Sequence, residues 1–292
     1  MKAFKYTAPR TLAEASSLLA EHGERARVLA GGTDLIVQIR EGRREIDLVV
    51  DIKETAEVNT LAFDPERGLT LGAAVPCYRI HEDPHIQRAY PGLYEAAGLV
   101  GGTQIQSRAS VGGNLCNSSP AADTIPALIA LRGVCHIFGP EGWRETPVED
   151  FCTGPGKNGL RRGEVLVSIH LPTPLEPGSS SYLRFIPRNE MDIAVVGVGV
   201  SLQLDARRER CRQARIALAA VAPTPILVPA AAAELEDVVL DEIALKRAAA
   251  KAQEAAKPID DMRGDSAYRK HLVGVLTFRA LQQAWSRAKE KQ

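Results

Sequence analysis

The residues best suited to chemistry in this chain are glycines in pairs: Gly31-Gly32, Gly101-Gly102 and Gly112-Gly113. Two of the pairs have similar neighbours. Ala30-Gly31-Gly32-Thr33-Asp34 and Ser110-Val111-Gly112-Gly113-Asn114 each join two glycines to a small hydroxyl residue and to an acid or amide. Glycine lets backbone amides come close to an oxyanion and tolerates positive φ. Successive amides then form an anion nest, strengthened where a helix begins. Thr33 and Ser110 add hydroxyl donors. Two such loops that converge would hold both phosphates of a pyrophosphate, whereas one alone is more often a plain turn. Neither loop has the G-x-G-x-x-G spacing of a dinucleotide-binding βαβ unit. Neither is followed by Lys-Ser/Thr, so a P-loop is absent.

The elements around these loops follow from the hydrophobic pattern. Thr11-Leu-Ala-Glu14 is a capping box, and Leu12, Ala15, Leu18 and Leu19 continue at helical spacing until Gly23. "RVLA" (27–30) and "DLVVDI" (47–52) read as strands with the helix "LIVQIREG" between them, a βαβ unit with the first Gly-Gly corner at the end of its first strand. "GLTLGAAV" (68–75) is a strand, "YPGLYEAAGLV" (90–100) a helix, "ADTIPALIALRG" a helix, and "VCHIF" and "EVLVSIHLP" strands. "EPGSSS" (176–181) is the best candidate linker. After it, "DIAVVGVGVSLQLD" and "CRQARIALAAVAP" form an antiparallel hairpin across the charged turn "ARRER". Helices at roughly 241–256 and 266–289 complete a small α+β unit.

The remaining polar residues are less directed. Asp123, in "SSPAADTIPAL", either contacts ribose hydroxyls or caps the helix "TIPALIAL", and Asp34 has the same two readings at the head of "LIVQIR". The six histidines are scattered without metal-ligand spacing, and no Ser-His-Asp or Cys-His constellation is recognisable. The five cysteines form no C-x-x-C. That argues against a disulfide framework, structural zinc or a self-contained iron–sulfur cluster, and for a reducing compartment. Lysine plus arginine and aspartate plus glutamate both number 36 in 292 residues. A net charge of zero gives nucleic acid or a polybasic membrane contact no electrostatic footprint. The uncharged run "IALAAVAPTPILVPAAAA" (216–233) is broken by Pro223, Pro225 and Pro229, so a strand, a turn and a helix start are expected rather than a transmembrane segment. A cytoplasmic protein is the expectation.

Four stretches together resemble a known family: "AGGTDL" (30–35), "GGTQIQSRASVGGNLCNSSPAADTIPALIAL" (101–131), "EVLVSIHLP" (164–172) and "YLRFIPRNEMDIAVVGVGVSL" (182–202). In order and spacing they are similar to the FAD-binding medium subunit of molybdenum hydroxylases, the group of xanthine dehydrogenase, carbon monoxide dehydrogenase and 4-hydroxybenzoyl-CoA reductase. The resemblance implies an α+β fold: a PCMH-type FAD-binding domain over 1–175, with α/β subdomains of about 1–55 and 56–175. A C-terminal domain of antiparallel sheet and helices would follow over 176–292. It implies a pyrophosphate held by Ala30, Gly31, Gly32, Thr33 and Asp34 and by Ser110, Val111, Gly112, Gly113 and Asn114, with Leu29, Gly102 and Thr103 also at the cofactor. Asp123 would contact the adenosine ribose and Leu166 the adenine side. Arg184, where relatives often have Lys, would lie by the flavin edge, and its charge would stabilise reduced flavin. Ile193 would lie against the isoalloxazine. Ser110 stands where many relatives have Thr, and no clustered cysteines offer a [4Fe–4S] site.

The implied activity is electron transfer. Molybdopterin would sit on a large partner subunit and [2Fe–2S] clusters on a small one, in a dimer of heterotrimers. FAD on this chain would pass electrons to NAD⁺, a quinone or oxygen. The lack of an acid–base constellation suits a subunit whose cofactor carries the chemistry. The rivals are a stand-alone flavin reductase or oxidase of the same fold and a non-catalytic nucleotide-binding assembly module.

Overall fold

A computed structural model describes residues 2–290, so residues 1, 291 and 292 at the ends of the two expected domains lie outside it. The chain begins with a three-stranded parallel sheet. Its elements are β1 (Lys5–Thr7), α1 (Leu12–His22), β2 (Ala26–Leu29), α2 (Leu35–Arg40) and β3 (Leu48–Asp51). Strand β3 lies in the middle, and Leu29 of β2 pairs with Asp51 of β3. The expected βαβ unit is therefore present. The Thr11 hydroxyl caps α1 by accepting from the Glu14 amide, as the capping box requires.

The second part runs β4 (Leu61–Asp64), β5 (Gly68–Gly72), α3 (Cys77–His81), α4 (Pro84–Ala89), α5 (Pro91–Gly98), α6 (Thr103–Gln106), α7 (Val111–Asn117) and α8 (Thr124–Ala130). It continues with β6 (Val134–Gly139), β7 (Gly142–Pro147), α9 (Val148–Phe151), the short pair β8 (Cys152–Gly154) and β9 (Lys157–Asn158), and β10 (Val165–Leu171). Five of these strands form an antiparallel sheet in the order β4-β5-β10-β6-β7. The central strand β10 is buried on both faces, which accounts for its nearly unbroken apolar run. Val165 and Val167 face a core shared with Leu12 and Leu19 of α1 and Val50 of β3. Leu166 and Ile169 face a second core that includes Leu93, Leu115, Leu128 and Phe151.

The third part is β11 (Gly178–Phe185), β12 (Val196–Leu204), β13 (Cys211–Ala219), β14 (Ile226–Leu227), α10 (Pro229–Ala233), α11 (Glu242–Ala255) and α12 (Ser266–Glu290). The β12–β13 hairpin appears where the alternation placed it, with Val200 opposite Ile216. The run 216–233 resolves into the end of β13, β14 and α10, and no described helix is long and apolar enough to cross a membrane.

One expectation fails. The linker candidate 176–181 enters β11 at Gly178, and Ser180 and Ser181 are buried. The Ser180 hydroxyl accepts from the Gly92 amide at 3.0 Å, and the Ser181 hydroxyl donates to Gln283 at 2.9 Å. Serines read as flexible in isolation are strand residues here because helices on both sides supply partners for their hydroxyls.

Candidate functional site

The first glycine bend starts where β2 ends. Gly32 has φ +78°, a conformation that glycine adopts without strain. The bend is clasped from below by Lys53, whose ammonium donates to the Ala30 carbonyl at 3.0 Å and pairs with Asp51 at 2.7 Å. Tyr6 donates to the same Asp51 carboxylate at 2.7 Å. Among the described residues the amides of Gly32, Thr33, Asp34 and Leu35 donate to no acceptor, while the Ile36 amide reaches back to the Gly32 carbonyl. Four free donors thus sit together at the start of α2.

The second bend is the first turn of α7. Ser110 is its N-cap, and its hydroxyl accepts from the Gly113 amide at 3.0 Å. The hydroxyl proton remains free to donate. A Cβ on Gly112 would lie 2.5 Å from the Ala73 backbone, so only glycine allows α7 to press against the end of β5. A Cβ on Gly113 would meet nothing but the Ser110 oxygen. Asn114 accepts from the Thr124 hydroxyl at 2.7 Å, which ties α7 to α8.

The two bends touch. A Cβ on Gly31 would fall 2.1 Å from the Arg108 carbonyl oxygen and 2.9 Å from the Ala109 Cα. Across the gap, Gln38 of α2 donates to Asn117 of α7 at 3.0 Å. Together they open onto a cleft of about 940 Å³ lined by Ala30, Gly31, Gly32, Thr33, Asp34, Ser110, Gly112, Gly113, Asn114 and Leu166. Ile52 and Val165 give it an apolar wall. This volume lies at the upper end of ordinary ligand clefts. Asp34 accepts no cap hydrogen bond. The residue is exposed overall, yet the protein around its carboxyl displaces water and raises its pKa.

Other expected residues lie elsewhere. Leu29 packs with Ile39, Ile46 and Val49, and Val111 is fully buried in the second core, so each contributes backbone at most. Gly102 and Thr103 begin α6 and do not line the cleft. Ile193 is 53% exposed on the loop before β12, and Met191 of that loop lies beside Gly102.

Asp123 neither caps α8 nor lines the cleft. One carboxylate oxygen accepts from the Tyr182 hydroxyl at 2.8 Å and the other from Arg184 at 2.7 Å. Burial outweighs these two attractions and lifts its pKa to about 6. Arg184 is almost wholly buried, and its Nε has no partner among the described residues.

Sequence reasoning missed Lys53, Gln38, Asn117 and Tyr182. Lys53 left a weak signal, a cation directly after an apolar strand. The others are unremarkable until the fold brings them together.

Residues 2–174 match the family described as the FAD-binding domain in molybdopterin dehydrogenase, and residues 181–284 match the CO dehydrogenase flavoprotein C-terminal domain. The chain is 31% identical over 280 residues to the xanthine dehydrogenase FAD-binding subunit of Escherichia coli O157:H7, covering 96% of this chain and 95% of that one. It is 31% identical over 289 residues to the carbon monoxide dehydrogenase medium chain of Afipia carboxidovorans, covering 98% of each. Among solved structures, a chain of the carbon monoxide dehydrogenase of Hydrogenophaga pseudoflava superposes with a TM-score of 0.93 at 29% identity, covering 98% of both chains. The protein therefore belongs to the family of FAD-binding subunits of molybdopterin-dependent dehydrogenases.

Proposed function

We propose that this chain relays electrons from [2Fe–2S] clusters on a small partner subunit to an external acceptor, within a complex whose large subunit holds molybdopterin. The observation that carries the reading is the contact between Gly31 and the Arg108–Ala109 backbone, which unites two glycine bends into one cradle. The donor set fits FAD. Gly32 to Leu35 and Gly112 offer free amides to a diphosphate, Thr33 and Ser110 offer hydroxyls, and Leu166 and Ile52 offer an apolar wall. Bound FAD would supply reversible one- and two-electron transfer. The chain's own part is to orient and shield. The cradle fixes the diphosphate, Asp123 and Tyr182 hold Arg184 in one orientation, and the loop carrying Ile193 stands at the far end beside Gly102.

In this reading residues 1–175 hold the cofactor and residues 176–292 close over it, in a cytoplasmic dimer of heterotrimers. The purified chain is expected to show a flavin spectrum with about one FAD per chain and to co-purify with molybdenum and iron–sulfur subunits. Gly32→Val and Gly113→Val are expected to lose flavin, because each side chain blocks the approach of phosphate to backbone. Full occupancy in both variants would refute the cradle. A flavin-loaded chain that never associates with a molybdenum subunit would point instead to a stand-alone reductase.

A further inference from the structure

The cradle lacks formal positive charge. It offers amides and hydroxyls, and its one ionisable member, Asp34, repels a diphosphate. Five cations and three carboxylates line the cleft as a whole. Two of the cations are committed elsewhere. Arg161 pairs with Glu141 at 3.3 Å, and Arg162 donates to the Ala20 and Glu21 carbonyls at the end of α1. One acid, Glu164, is bound by Arg144 at 2.6 Å. Arg27, Arg44 and Lys157 remain, with no carboxylate at ion-pair distance among the described residues.

Their placement is built. Arg27 donates to the Glu24 and Ala26 carbonyls at 2.8 Å. Arg44 donates to Gln38 at 3.1 Å, and Gln38 in turn donates to Asn117 of α7. This relay ties Arg44 to the helix whose first turn forms the cradle. Burial disfavours the charge on Arg27 most, and nearby Arg44 repels it while Glu24 attracts it.

Resting on the FAD reading above, we propose that Arg27, Arg44 and Lys157 form an electrostatic mouth that captures the FAD diphosphate and sets the rate at which the apoprotein takes up its cofactor. They act at a distance, and the glycine cradle then holds what they deliver. In a protein of zero net charge, a cleft with more cations than carboxylates raises the local concentration of an anionic ligand.

The test is stopped-flow flavin fluorescence with full-length apoprotein and FAD. At about 10 mM salt the Debye length is about 30 Å. There, Arg44→Gln/Lys157→Gln is expected to lower kon about threefold to tenfold while koff stays within about twofold. At about 1 M salt, with a Debye length of about 3 Å, variant and wild type are expected to converge. Both substituted side chains lie at the surface of the cleft. Arg27→Gln, whose side chain also supports backbone, serves as a second variant and is expected to show the same salt-dependent loss. The proposal is overturned by an unchanged kon at low salt, or by a loss confined to koff, which would make these residues contacts of the bound cofactor. Failure of the wild-type chain to take up FAD at all would overturn the function reading and this proposal with it.

Discussion

A methyl group added at position 31 would sit 2.1 Å from the Arg108 carbonyl, whereas one added at position 113 would meet only the Ser110 hydroxyl. The two glycines therefore do different work, and paired substitutions separate it. Gly31→Ala forces two backbones apart and is expected to lower stability by about 2–3 kcal/mol along with flavin content. Gly113→Ala is expected to change stability by under about 1 kcal/mol, since alanine suits a helix, yet still to reduce flavin retention. Thermal unfolding set beside flavin stoichiometry distinguishes the two. Asp123 makes a second prediction at this scale. Its folded pKa of about 6 exceeds the ordinary 3.8, so folding favours its protonated form. Its contribution to stability is greatest below about pH 4 and is lost as pH rises through about 6. Asp123→Asn is expected to remove that slope from a plot of Tm against pH. An unaltered slope would show that this carboxyl does not titrate in that range.

Helix α7 shows what an element adds to its residues. Seven residues make a marginal helix by themselves. Its first turn holds shape because Ser110 caps it and Thr124 grips Asn114, while Gln38 and Asn158 hold its last turn at Asn117 and the Cys116 carbonyl. Ser110→Ala is expected to remove about 1 kcal/mol from the cap and to weaken FAD binding about fivefold in a fluorescence titration. Ser110→Thr is expected to retain affinity, and equal affinity for Ser110→Ala would show that the cap does not shape the cradle. Much of this part of the chain was hidden from periodicity. Residues 101–131 read as Gly- and Ser-rich chain ending in one helix, whereas α6, α7 and α8 are all present. Helices of one or two turns carry too few apolar repeats to register a period, and packing against the second core stabilises them.

Across the whole molecule, the C-terminal sheet is fastened to α8. A Cβ on Gly199 of β12 would lie 2.5 Å from the Pro126 carbonyl. Ser201 donates to the Ala130 carbonyl at 2.7 Å, and Arg215 donates to the Ile129 carbonyl at 3.0 Å. With the Asp123–Arg184 pair, these contacts connect α8 to the last sheet. Gly199→Val is expected to pry the two apart, lower Tm by about 5 °C or more, and expose the Arg184 environment to solvent while the glycine cradle stays intact. Limited proteolysis that still yields a single protected core would count against this joint.

The sequence by itself determined the local pieces. The capping box at Thr11, the βαβ unit, the β12–β13 hairpin and the two glycine bends all rest on contacts between near neighbours, and such contacts leave periodic or punctuating marks. Tertiary structure decided the rest. It turned the serines at 179–181 into a buried strand, set Asp123 against Tyr182 and Arg184, and drew Lys53, Gln38 and Asn117 around the bends. Each depends on a partner tens of residues away, and no local pattern records where such a partner will lie.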